Sequence, residues 1–170
     1  MPPFQSTVRD DQPAGIVGEF YQDGPRRVQS YIIDSAGATP NTIGKAFTEE
    51  DGVDGKAAAG SAGGGAFAGI LVGPKTHATS GTTSGALAPT LDIPDDSQGE
   101  CVRMGTIFVN LTIVGTGKVG EGIFYVNATG ALGSGTAGAG QTQIANAKIS
   151  HRNITAATPG MAIITLTEAA

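Results

Sequence analysis

Tryptophan is absent from this 170-residue chain, and nine aromatic residues, six Phe and three Tyr, are all it has. A core built from it must rest on Val, Ile, Leu and Ala. Cys101 is the single cysteine, which excludes an intrachain disulfide and any cysteine-based zinc site. No apolar run approaches the length of a membrane span, so no membrane partner is expected. The N-terminus, MPPFQSTVRDD, lacks the charged and apolar regions of a secretory leader, and an intracellular product is expected. The three N-x-[ST] matches at Asn110, Asn127 and Asn153 then carry little meaning.

Basic residues are also scarce. Lys and Arg number 10 against 15 Asp and Glu, for a net charge of −5 and a pI near 4.8. No cationic stripe is available for phosphates, so no direct nucleic-acid contact is expected. His77 and His151 are the only histidines and lie far apart in polar contexts, without H-E-x-x-H spacing. No G-x-S-x-G elbow occurs. Cys101 stands just before a strongly apolar segment, where a packed thiol is expected instead of a nucleophile. No catalytic residue, metal ligand or cofactor-binding residue is predicted, and the chain is expected not to be an enzyme. The acids Glu49, Glu50, Asp51 and Asp54 gather around Gly52 and Gly55 without EF-hand spacing, so an ion there is left open.

What the chain has in abundance is glycine: 27 of 170 residues, more than twice the ordinary share, without a collagen period. With Thr and Ala also frequent, this composition favours short strands joined by many turns. The strongest strand signal runs from Ile107 to Ile113, where the odd positions Ile107, Val109, Leu111 and Ile113 are apolar. A second apolar run, Ile123 to Val126, has apolar residues on both faces and reads as a strand inside a sandwich or barrel. The two are expected to form a hairpin across Gly115-Thr116-Gly117-Lys118-Val119-Gly120.

That turn spells G-x-G-x-x-G. A dinucleotide site would need a helix to follow, so that its first amides meet the pyrophosphate. Glu121-Gly122 leads instead into strand composition, and Lys118 is followed by Val119 where a P-loop needs Ser or Thr. The glycines are read as turn residues.

The remaining chain divides in the same manner. Residues 1–13, with Pro2, Pro3 and Pro13, form an extended arm, and residues 14–170 a single β-rich domain. Ile16 to Phe20 and Val28 to Ile33 read as strands about an Asp23-Gly24-Pro25 turn. Ala66 to Val72 is another strand. Residues 75–100 are a long polar connection of the kind that serves a function or is ordered by a neighbour. Residues 129–142 are flexible by composition, and strands close the chain at Ile144–Ile149 and Met161–Thr167. Roughly eight to ten strands result, giving an all-β antiparallel sandwich or barrel, jelly-roll-like, with an extended arm and long Gly-rich loops.

Three stretches carry a resemblance that spans most of the chain: the Pro-containing arm followed by PAGIVGEFYQDGPRRVQSYII; NTIGKAFTEEDG with the later GGGAFAGILVGPKTHA; and VRMGTIFVNLTIVGTGKVGEGIFYVNATGAL. In their order the chain resembles the decoration, or structural cement, proteins of tailed bacteriophages. The resemblance implies a mostly-β protein made in the host bacterial cytoplasm and added to the capsid outer surface, where it bridges major capsid subunits. It implies a homo-oligomer, a trimer first and a dimer second, and no catalytic residues. A tail or fibre-associated virion protein is the alternative. The expected partner contacts are the arm and the 75–100 connection, with Phe4 as anchor and Arg9, Arg26 and Arg27 pairing with capsid carboxylates.

Overall fold

The computed structural model describes residues 15–22, 24–35, 39–73, 92–154 and 160–167. Eleven strands and no helix occur among them: β1 (Arg27–Ile33), β2 (Asn41–Thr42), β3 (Ala46–Glu50), β4 (Lys56–Ala59), β5 (Gly64–Val72), β6 (Asp92–Ile93), β7 (Ser97–Ile113), β8 (Gly122–Val126), β9 (Leu132–Ser134), β10 (Gln141–Ile149) and β11 (Met161–Leu166). The all-β barrel expectation is met. Two pairings, β1 with β4 and β7 with β9, are parallel, so the sheet is mixed.

Seventeen-residue β7 holds the fold together. Its first half pairs with β1 on one edge and β5 on the other. Followed through β3 and β4, these pairings return to β1 and close a five-stranded circuit. Its second half pairs with β11 and β9, and through β10 and β8 closes a second five-stranded circuit. The two barrels share one continuous strand.

Side-chain alternation then assigns two cores. The first barrel is filled by Tyr31, Ile33, Phe47 and Leu71 together with Ala57, Ala59, Ala68 and Cys101. A narrow ring has little interior volume, and small residues alternate with large ones to fit it. Gly99 shows the limit: a Cβ there would lie 2.5 Å from Ile33 Cγ1 and 2.9 Å from Leu71 Cδ1. The second core takes Ile107, Val109 and Leu111 from β7, Ile123 and Tyr125 from β8, Leu132 from β9, Ala147 and Ile149 from β10, and Ala162, Ile164 and Leu166 from β11. Ile70, Val72 and Val102, on the alternate parity of β5 and β7, belong to this second cluster and tie the barrels together.

Four local expectations are corrected. β7 and β8 do not pair as a hairpin, because β9 lies between them. β9 falls within the stretch read as flexible; Leu132, Gly133 and Ser134 are all buried, and Gly133 lies under the Phe124 ring, where a Cβ would come within 2.4 Å. Residues 92–93 and 97–100 are not loop but β6 and the start of β7, separated by a turn at 94–96 and disguised by Gly99 and its polar neighbours. Ile16 to Phe20 is not a strand: it crosses β7 with one bridge, Phe20 to Ile107, and bonds between Gly18 N–H and Phe108 O (2.8 Å) and Phe108 N–H and Glu19 O (2.9 Å).

Candidate interaction surface

The G-x-G-x-x-G loop resolves into an internal anion site. Glu121 Oε1 accepts from the Thr116 amide (2.7 Å) and hydroxyl (3.0 Å), and Oε2 from the Gly117 amide (2.8 Å) and the Ser134 hydroxyl (2.8 Å). Amides that would cradle a phosphate in a dinucleotide fold are here taken by the chain's own carboxylate. Burial pushes the Glu121 pKa up, but these bonds, from the Thr116 amide and then Ser134 and Gly117, outweigh it and hold it below the ordinary value. The strand that follows, not a helix, is as the sequence predicts.

Glu121→Ala is expected to lower stability by about 2 kcal/mol, on the scale of hydrogen bonds to charged groups. In the native protein this contribution is complete above the unfolded-state pKa. It is lost as pH falls through the lower folded-state pKa. Denaturant melts of both proteins between pH 7 and pH 3 should therefore converge at the acid end.

Among the described residues, Cys101 and His151 do not come together with each other or with a carboxylate pair. Cys101 is fully buried in the first barrel, and burial pushes its thiol up to about 12, so it packs as a neutral, unreactive side chain. His151 packs edge-on against Tyr21, with ring centroids 4.4 Å apart; His77 lies outside the described residues. Among the described residues no three His, Cys, Asp or Glu side chains are grouped to hold a metal. Near the end of β3, beside the acidic turn, Glu49 Oε1 accepts from the Tyr31 hydroxyl (2.7 Å) and lies 3.8 Å from Arg103 Nη1. Burial, followed by that bond to Glu49, raises the Tyr31 pKa well above its ordinary value.

Surface features stand out instead. Ile16, Tyr21, Ile32, Val53, Ile113 and Val119 are large apolar side chains left exposed, Ile16 by 58% and Val119 by 52%. A cleft of ≈ 550 Å³ lies beside Phe20, Arg26 and Glu100, and one of ≈ 420 Å³ runs between the barrels past Phe67, Arg103 and Tyr125. A third, ≈ 460 Å³, is walled by Gln29, Tyr31 and the acidic turn. Of the predicted contact residues, Arg26 is exposed with its guanidinium 4.8 Å above the Phe20 ring, and Arg27 opens β1 opposite Met104. Phe4, Arg9 and the arm lie outside the described residues, as do residues 74–91 of the long connection. The structure therefore brings Arg26 and Arg27 to one end of β1 and leaves the arm's placement undescribed.

Against known proteins, residues 4–167 match the family described as Structural cement protein (E217 gp24/Pam3 gp6). The chain belongs to the phage structural cement protein family. As a cement protein it is a structural, capsid-stabilising component of the virion. Among solved structures, a chain from the capsid of Myoviridae phage XM1 is similar with a TM-score of 0.61, at 14% identity over 96% of each chain. At that identity the likeness is one of fold. No curated protein matches the cement chain.

Sequence reasoning missed Glu121 as an internal anion and missed the outer strand edge of β1 at Val28 to Ser30. For Glu121 a signal existed: an acid placed directly after three spaced glycines. For the strand edge there was none, since an open edge depends on where β4 ends.

Proposed function

We propose that this cement protein sits on the outer surface of a tailed-phage capsid and bridges neighbouring major capsid subunits. The observation that carries the reading is the family match across nearly the whole chain. It acts as a homotrimer at local threefold positions, and its role is mechanical and not catalytic. Exposed apolar side chains on an otherwise acidic molecule suit this role, since they supply contact area while net charge keeps the free protein soluble. Arm residues Phe4 and Arg9, with Arg26 and Arg27, supply partner contacts. The protein binds the assembled lattice and not separate capsid subunits, so it stabilises assembly by linkage.

Adding saturating protein to undecorated capsids is expected to raise the temperature at which they release DNA or dissociate. At a hundred times the dissociation constant, linkage gives about 2.7 kcal/mol per site. An unchanged disruption temperature at demonstrated saturation would contradict the proposal.

A further inference from the structure

The first barrel closes through a short seam. β1 meets β4 only at Ile32 and Ile33, opposite Lys56 and Ala57. At this seam the Ile32 amide donates to Gly55 O (2.8 Å) and the Asp34 amide to Ala57 O (3.0 Å), so even-numbered backbone groups point away from β7. Alternation along an antiparallel strand puts the N–H and C=O of Val28 and Ser30 on that same outer edge. Among the described residues no strand pairs with them: β4 begins at Lys56 and the chain turns away through Gly55. Ser30 and Gln29 are exposed.

Open edges usually carry a Pro, an inward charge or a bulge that deters pairing. Such features, Pro25, Arg26, Arg27 and a register shift between Arg27 and Val28, stop just short of Val28-Gln29-Ser30, which has neither Pro nor charge and pairs with β7 in regular register from Val28 to Ile33. The ≈ 460 Å³ cleft lies directly beside this edge, between Gln29 and Tyr31 on one side and the Glu50–Asp54 turn on the other. Asp51 and Asp54 are exposed there, whereas Lys56, the nearest cation of the hairpin, is held by Asp34 (3.3 Å) and Asp96 (3.7 Å). Among the described residues the edge thus offers backbone groups without a strand partner, beside a space for side chains whose acids outnumber the one cation against them, Arg103, 3.8 Å from Glu49.

We propose that the outer edge of β1 at Val28 and Ser30 takes an extended, Lys- or Arg-bearing segment of the major capsid protein as an added strand. This rests on the capsid-bridging reading above. Main-chain hydrogen bonds to Val28 and Ser30 supply the pairing, and a cationic side chain entering the cleft beside Asp51 and Asp54 supplies register and selectivity. A segment bearing acids in place of that cation is rejected by the turn.

Amide hydrogen exchange, resolved to single residues in free and capsid-bound protein, tests the assignment. Fast exchange at Val28 and Ser30 in the free protein and strong protection on capsids is the expected result. Asp51→Lys with Asp54→Lys should weaken capsid binding about tenfold, as two surface charge reversals can, with the thermal melt unchanged. Binding with Val28 and Ser30 still exchanging freely overturns the strand addition and leaves the capsid reading standing. No binding of the folded wild-type protein overturns the capsid reading itself. Protection already present in the free protein means that the chain or a second copy covers the edge, and also overturns the proposal.

Discussion

Gly69→Val is expected to cost about 3–5 kcal/mol and to lower the melting temperature by roughly 10–15 °C. Gly69 holds a φ of +137°, a conformation that β-branched residues avoid. A Cβ there would lie 2.6 Å from Val102 O and 2.9 Å from Val102 C. Those atoms are backbone, so no rotamer change relieves the clash. The strands that would have to separate are β5 and β7, paired next to it at Ile70 and Val102. Because β7 belongs to both barrels, the damage should not stay local: exchange protection in β3 and in β8 should fall together. Gly24→Ala provides the control. Nothing lies within 4 Å of its added Cβ, and the change should stay within about 0.5 kcal/mol. Loss of the first barrel with the second fully protected would contradict the shared-strand account.

Removing residues 2–12 is expected to abolish detectable capsid binding while the two-barrel body melts as before. The stretch lies outside the described residues, and both barrels close through strands between Arg27 and Leu166. The arm's composition, with Pro2, Pro3 and Pro13 around Gln5-Ser6-Thr7, suits an extended segment that orders on a partner. Phe4 is its only aromatic residue, and truncating a buried aromatic anchor costs about 2 kcal/mol, or roughly thirtyfold in affinity. Phe4→Ala should therefore account for much of the deletion's effect. Sedimentation of each variant with undecorated capsids measures both. Undiminished binding by the deleted protein would move the contacts onto the body, to the clefts and the β1 edge.

How far the fold could be read from the sequence followed the burial of single faces. Ile107 to Leu111 declares itself because Ile107, Val109 and Leu111 are buried in the second core while Asn110 and Thr112 look out; Ile113, of the same parity, is exposed at the strand's end. β8 also declares itself, being buried on both sides. Legibility failed where burial was satisfied by small or polar residues. Gly99 inside the first barrel and Gly133 under Phe124 occupy positions where any side chain would collide, yet glycine in a sequence reads as a turn. Pairing order was less accessible still. β9 is three residues long, and its insertion between β7 and β8 comes from a turn after Val126, where the Gly130 amide donates to Val126 O at 2.8 Å. The Glu121 site depends on that same insertion, since it brings Ser134 against the 115–121 loop. The arrangement of the candidate surface was hidden for a similar reason: exposed Arg26 and the acidic turn are distant in sequence, and only barrel closure puts them along one strand.

Counting bound copies per particle, after mixing purified protein with expanded, undecorated capsids of its source phage, tests the central claim most directly. The account predicts saturation at a simple ratio to the major capsid protein, with bound protein in threes at local threefold positions when the particles are imaged. Folded protein that leaves the capsids bare, or that appears only in a few copies at a tail or vertex, would contradict it.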